Sequence, residues 1–185
     1  MASGICSTTE KFARTTGGVT IKPWVERPVE EANLLNPAFC CVALTSSAIG
    51  YKNIDEAGIP YPLTFMVLPI VLHKTTRELL PRTTRTSLAA WIQENTNARV
   101  LFAERTIALK PYTREAILFG LLRDWLVLHE GGRLQATLNN SDVDRFIRNL
   151  DDEAKDCIRR ARFVGKWFAS AGSAQTVMAL WGIRP

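Results

Sequence analysis

Histidine is scarce in this chain: 185 residues contain two, His73 and His129. Neither belongs to an HExxH pair, and no GxSxG elbow is present, so zinc-hydrolase and serine-hydrolase chemistry both lack their signatures. A Walker A loop is missing as well. The adjacent glycines Gly17-Gly18 and Gly131-Gly132 come without the lysine and hydroxyl residue that hold a nucleotide phosphate. The four cysteines, Cys6, Cys40, Cys41 and Cys157, form no CxxC pair, and no histidine stands at a zinc-finger offset from them. Cys40 and Cys41 are neighbours whose side chains diverge by about 100° on a helix, so they share a ligand poorly. They read as free thiols filling a core in a reducing compartment. The first thirty residues lack an apolar signal-like stretch, and no apolar run reaches the ~20 residues of a membrane span. The expectation is a cytoplasmic protein without membrane contact.

Acids are not lacking. Asp142, Asp144, Asp151, Asp152, Glu153 and Asp156 cluster near the C-terminus, but Arg145, Arg148, Lys155 and Arg159 interleave with them. Alternating signs at helical spacing describe salt-bridged helix faces and acidic first turns better than a metal site. The sequence therefore offers no catalytic, metal or cofactor-binding residue, and the expectation is a protein that is not an enzyme.

What is present suffices for one substantial core: hydrophobic residues make up 46% of the chain against 22% charged. The fold class expected is mainly α (α+β). Residues 1–29 are polar and without period and read as a flexible arm, with Trp24 its first contact to the body; residues 30–185 read as a single, mostly helical domain. Asn36-Pro37 is a helix-start signature, with Gly50 as the expected stop. GIPYPLTFMVLPIVLH is apolar nearly all round and predicts a buried helix broken near Pro69. Thr83 or Thr84 would cap a helix over SLAAWIQEN that presents Leu88, Trp91 and Ile92 on one face. A further helix, ARVLFAERTIALK, should stop before Pro111, and another, REAILFGLLRD, should start at Thr113. Trp91, Phe119 and Trp167 are expected in the core.

WLVLHEGGRLQATL follows as a β-hairpin around Glu130-Gly131-Gly132. Three helices and a hairpin over residues 84–138 have the order of a winged-helix module, with C-terminal helices behind it: one from about Ser141 to Leu150 capped by Ser141 or Asp142, one starting at Asp151 or Asp152, and a short one capped by Ser173 that ends at Gly182. A recognition helix needs polar side chains along its exposed stripe, however, and REAILFGLLRD is apolar almost throughout. That composition suits a helix held between its own core and another protein chain, with Arg114, Leu118, Leu122 and Arg123 as the partner-facing residues.

One basic segment stands out, HKTTRELLPRTTRTS over residues 73–87. Lys74, Arg77, Arg82 and Arg85 face a single acid, Glu78, and threonines lie beside them. Such a run covers helix ends, or it docks on phosphate or on an acidic partner. The net charge of +5 permits nucleic-acid contact without requiring it.

LLNPAF at residues 34–39, YPLTFMVLPIVLHKTTRELLPRTTRTSLAAW, YTREAILFGL, and the closing ARFVGKWFASAGSAQTVMALWGIRP together resemble the middle component of three-component ABC-ATPase systems, prokaryotic conflict systems related to Lamassu anti-phage defence. The resemblance covers about residues 30–185. It implies a non-catalytic subunit that accompanies an SMC- or Rad50-like ABC ATPase and an effector, often a nuclease, with DNA met through the assembled complex. Lys74, Arg77, Arg82 and Arg85 then read as a docking segment for the ATPase or for DNA on its heads. The alternative is a stand-alone winged-helix DNA-binding regulator.

Overall fold

Two helices that touch backbone to backbone set the fold. In the computed structural model, which describes Lys22 and residues 26–184, helix α2 (Pro37–Lys52) is buried from Cys40 to Ala48 and again at Gly50 and Tyr51. Helix α8 (Asp152–Ser170) lies against it. A Cβ on Gly50 would sit 2.0 Å from the Arg162 carbonyl oxygen, and a Cβ on Gly165 would sit 1.9 Å from that of Ser47. The two glycines thus clear each other's helix, and Ser46 Oγ donates to the Ile158 carbonyl at 3.0 Å beside them. Gly50 is therefore not the helix stop expected from sequence; it serves close packing, and α2 runs on to Lys52.

Around this pair the chain places α1 (Val29–Leu34), α3 (Tyr61–Val71), α4 (Lys74–Leu79), α5 (Leu88–Glu94), α6 (Phe102–Leu122), α7 (Asn140–Ile147) and α9 (Ala174–Leu180). A short 3-10 helix, Thr96–Arg99, precedes α6. Strands β2 (Leu126–His129) and β3 (Arg133–Ala136) form the hairpin, with Gly131 and Gly132 at positive φ in its turn. A third strand, β1 (Ile59–Pro60), pairs antiparallel with the other edge of β3, giving the order β1-β3-β2. The mainly helical class with a small antiparallel sheet and C-terminal helices is as the sequence indicates.

Stretch Glu31–Lys52 is long and apolar enough to cross a bilayer by length and composition alone. Here α2 faces α8, α6, α3 and β3, so its apolar surface is consumed inside the fold. A second packing centre is aromatic: Trp91 meets Trp167 at 5.3 Å and Trp181 at 5.8 Å, while Phe102 meets Trp181 at 4.2 Å between ring centroids. Each such pair adds about 0.5–1.5 kcal/mol beyond its buried area, and together they join α5, α6, α8 and α9. Trp91 and Trp167 are core residues as expected; Phe119 is partly buried against it.

Several helix limits differ from the sequence reading, each for a local reason. Asn36 Oδ1 does accept from the backbone N–H of Ala38 at 2.9 Å, as expected. Pro69 sits in the last turn of α3 without breaking it, and the helix ends at Val71. Ser87 rather than Thr83 or Thr84 caps α5, accepting from Ala90 N–H at 3.2 Å. Asn139 rather than Ser141 or Asp142 caps α7, in a reciprocal capping box with Asp142. Asp151 and Ser173 cap α8 and α9 as expected.

The largest correction is α6. Two helices separated at Pro111 are one helix of 21 residues, and Thr113 is buried inside it, its hydroxyl donating to the Leu109 carbonyl at 3.0 Å. The hydrogen bond that Pro111 forfeits is the one to the Ile107 carbonyl, and the Ile107 side chain is 65% exposed, so the missing bond falls on the solvent side of the helix, where its loss costs least. The module expected over residues 84–138 accordingly holds two α-helices, a 3-10 turn and the hairpin instead of three helices. The arm expected over residues 1–29 lies, for residues 1–21 and with Cys6 and Trp24, outside the described residues.

Helix propensity alone favours alanine over glycine by about 1 kcal/mol. At Gly165 the 1.9 Å approach to Ser47 dominates, so Gly165→Ala should destabilise the protein by about 3 kcal/mol in urea denaturation. Gly131→Ala, with no atom within 4 Å and only a positive φ against it, should cost about 1 kcal/mol.

Candidate functional site

The basic segment divides into a structural half and an exposed half. His73 opens α4, its Nδ1 accepting from the Thr76 backbone N–H at 3.3 Å and lying 2.7 Å from the Thr76 hydroxyl. Arg77, 3% exposed, then turns inward. Its Nη1 donates to the Val71 carbonyl at 2.7 Å, its Nε to Asp156 at 3.0 Å, and its Nη2 to Glu153 at 2.7 Å. The Cys157 thiol donates to the same Val71 carbonyl. Burial pulls the Arg77 pKa down, but the bonds from Glu153 and Asp156 outweigh it and the net shift is upward. A guanidinium held this way joins the C-terminal end of α3 to the first turns of α8, where a cation and carboxylates suit the respective dipole ends. Arg77 is thus a structural residue, not one of four docking cations.

Lys74, Arg82 and Arg85 are exposed. Residues 81–87, between α4 and α5, do not hang free: Arg160 Nη1 donates to the Pro81 carbonyl at 3.4 Å, and Trp167 Nε1 donates to the Thr86 carbonyl at 2.8 Å. Trp91 Nε1 holds the preceding turn through the Leu79 carbonyl at 2.9 Å. The loop therefore lies along α8.

The second predicted set sits on α6. Its inner face is core, with Phe102, Thr113, Ala116, Ile117 and Gly120 buried. One flank carries the N-terminal segment: Arg27 makes a two-point contact with Glu115 at 2.7 and 2.9 Å, and Tyr112 donates to Glu31 at 2.7 Å. Burial first, and then Glu31, push the Tyr112 hydroxyl up to about 12. The outer face is open. Leu118 is 59% and Leu122 83% exposed, and Arg114 is exposed between them and Ile107. Arg123 is also exposed, its guanidinium 5.2 Å from the Phe119 ring centroid.

Ile107 was missed by sequence reasoning, as were Val100 and Leu101, 57% and 61% exposed just before the helix. The break assumed at Pro111 hid the first of these. Carried through Pro111 at 100° per residue, Ile107, Arg114, Leu118 and Leu122 fall on one stripe, spanning about 22 Å.

The other chemistry on the molecule is used internally. Burial pushes the Cys40 and Cys41 thiols up to about 12 and about 11, so they are protonated, weak nucleophiles. Among the described residues no group of three or more His, Cys, Asp and Glu is arranged to hold a metal. Asp142 completes the capping box of α7, Asp151 caps α8, Asp156 binds Arg77, and Asp144 stands 3.7 Å from Arg162. An open cleft of about 560 Å3, lined by Phe39, Leu72, Phe146, Leu150 and Cys157, has Arg77 among its walls.

His73 gives a pH dependence. Burial, then the Arg105 charge, lower its pKa below the ordinary 6.5. The unfolded chain then binds the extra proton more readily than the folded one, so stability is fully present above pH 6.5 and falls as pH drops through the folded value. Protonation also removes the acceptor that caps α4. His73→Asn, which keeps a cap and cannot titrate, should flatten the decline in melting temperature between about pH 7 and 5.

Neither a curated protein nor a solved structure matches the chain. One protein family does, over residues 24–185, which takes in every element described above. The chain belongs to the ABC-three component (ABC-3C) system Middle Component 3 family.

Proposed function

We propose that this middle component is a non-catalytic adaptor of the cytoplasm that docks on an SMC- or Rad50-like ABC ATPase through the outer face of α6. In this reading it belongs to a Lamassu-like anti-phage or anti-plasmid complex, and it helps couple DNA sensing by the ATPase to control of an effector, often a nuclease. Family membership supports an accessory role beside other components of such a system. The observation that carries the docking surface is the α6 stripe: Ile107, Leu118 and Leu122 are each more than half exposed on a helix whose opposite face is core. Apolar side chains aligned at helical spacing favour a partner helix or groove. Arg114 within the stripe and Lys110 beside it ask that partner for acidic residues.

Burying one leucine fully yields about 1.5–3 kcal/mol. Replacing two at the centre of an interface should therefore weaken it by roughly 100-fold or more. In co-expression with the ATPase encoded beside it, the tagged wild-type chain should retain the ATPase, and Leu118→Asp with Leu122→Asp should lose it while the melting temperature stays unchanged. A stable homodimer that ignores the ATPase would contradict the reading and favour a stand-alone regulator.

A further inference from the structure

The basic loop lies against the longest C-terminal helix, a contact between two segments that the sequence shows as distant. Between Lys155 and Lys166, α8 carries Lys155, Arg159, Arg160, Arg162 and Lys166 against one acid, Asp156. Four of these recur at helical spacing: Lys155, Arg159, Arg162 and Lys166 are separated by four, three and four residues and so share a face. They span about 16 Å, the axial length of roughly five base pairs of duplex. Residues 81–87 run along the adjoining flank of the same helix, fixed at Pro81 by Arg160 and at Thr86 by Trp167, positions about 120° around α8 from the row, and Arg82 and Arg85 are exposed on that flank. No acid occurs between Glu78 and Glu94.

The state of each charge separates this surface from an ordinary solvated face. Asp156 is engaged by Arg77 and by Arg160 at 3.6 Å. Arg162 is part-neutralised by Asp144 at 3.7 Å, and Lys155 lies 3.9 Å from Asp152. Arg82, Arg85, Arg159 and Lys166 are exposed and have no side-chain partner among the described residues. The loop also offers the exposed Thr83 hydroxyl, a donor to phosphate oxygens.

The occupant follows from what the surface omits. A protein interface is built around an apolar core, yet none of the large exposed apolar side chains lies on α8 or in residues 81–87. Phe163 on α8 is part-buried against Trp167. Polar, strongly cationic surfaces of this kind fit nucleic-acid backbone, whose binding to clustered cations is independent of sequence. We propose that residues 81–87 and the Lys155–Lys166 face of α8 bind the phosphate backbone of duplex DNA without sequence preference. This names a surface for the DNA coupling of the proposed function, and it stands or falls separately from docking at α6.

The test is fluorescence anisotropy of the full chain with a labelled mixed-sequence DNA duplex of about 20 base pairs across a salt series starting near 50 mM. The wild type should bind, with log affinity falling against log salt at a slope of roughly −3 to −4, as four phosphate contacts imply. Arg82→Gln with Arg85→Gln, and separately Arg159→Gln with Lys166→Gln, should each weaken binding about tenfold or more and reduce the slope by about 2. The melting temperature of each variant should match the wild type, and Leu118→Asp with Leu122→Asp should leave DNA affinity unchanged. Absence of binding at the lowest salt would overturn the proposal. So would unchanged DNA affinity in both glutamine pairs, or a loss of ATPase co-purification in those pairs without loss of DNA affinity, which would make this face an acidic-protein interface.

Discussion

Everything in this fold hangs on the approach of α2 to α8. Gly50 and Gly165 let the two helices come so close that a single methyl at either position would overlap a carbonyl of the other. Close approach makes α2 inaccessible on nearly all sides, which explains how a helix apolar enough to span a bilayer becomes the centre of a folded domain. It also fixes α8 as the element on which the rest is placed. Arg77 ties the end of α3 to the first turns of α8, and Trp167 and Arg160 tie down the loop that follows α4.

These same ties sort the charges. Arg77 lies inside the segment that looks most basic in the sequence, yet it is consumed by Glu153, Asp156 and the Val71 carbonyl. Burying a guanidinium is costly unless its donors are met, and here three acceptors meet it. Its neighbours Arg82 and Arg85 remain outside, exposed on the loop that Arg160 and Trp167 hold against α8. On α6 a similar division holds: the flank with Tyr112 and Glu115 is occupied by Glu31 and Arg27, whereas the stripe through Ile107, Leu118 and Leu122 is left open. An adaptor that touches an ATPase on one helix and DNA on another would need two such surfaces, chemically unlike.

Much of this was legible from residues alone. Asn36-Pro37 and the caps Asp151 and Ser173 each specify their own local structure because a side chain bonds to backbone two or three residues away, and the Glu130-Gly131-Gly132 turn does so because its two glycines take positive φ without steric cost. Leu118 and Leu122 were readable as lying outside the core because their helix carries more apolar positions than its inner face can bury. The errors share a cause: residue type was read without tertiary context. Gly50 carries the composition of a helix stop and Pro111 that of a helix break. Gly50 instead allows contact with α8, and Pro111 is tolerated because the bond it forfeits faces solvent. Arg77 has no sequence signal that separates it from Arg82; only the carboxylates from 76 and 79 positions further along the chain do so. The convergence of residues 81–87 with α8 is likewise a long-range fact.

The assignment of one surface to protein and the other to DNA is tested most directly by photocrosslinking within the assembled complex. A photoreactive residue would be placed at position 118 of α6 in one variant and at position 166 of α8 in another, each co-expressed with the proposed ATPase partner and supplied with duplex DNA. Position 118 should crosslink to the ATPase and position 166 to DNA. Crosslinks from 166 to the ATPase with none from 118 would contradict the assignment and move the docking site to the basic face.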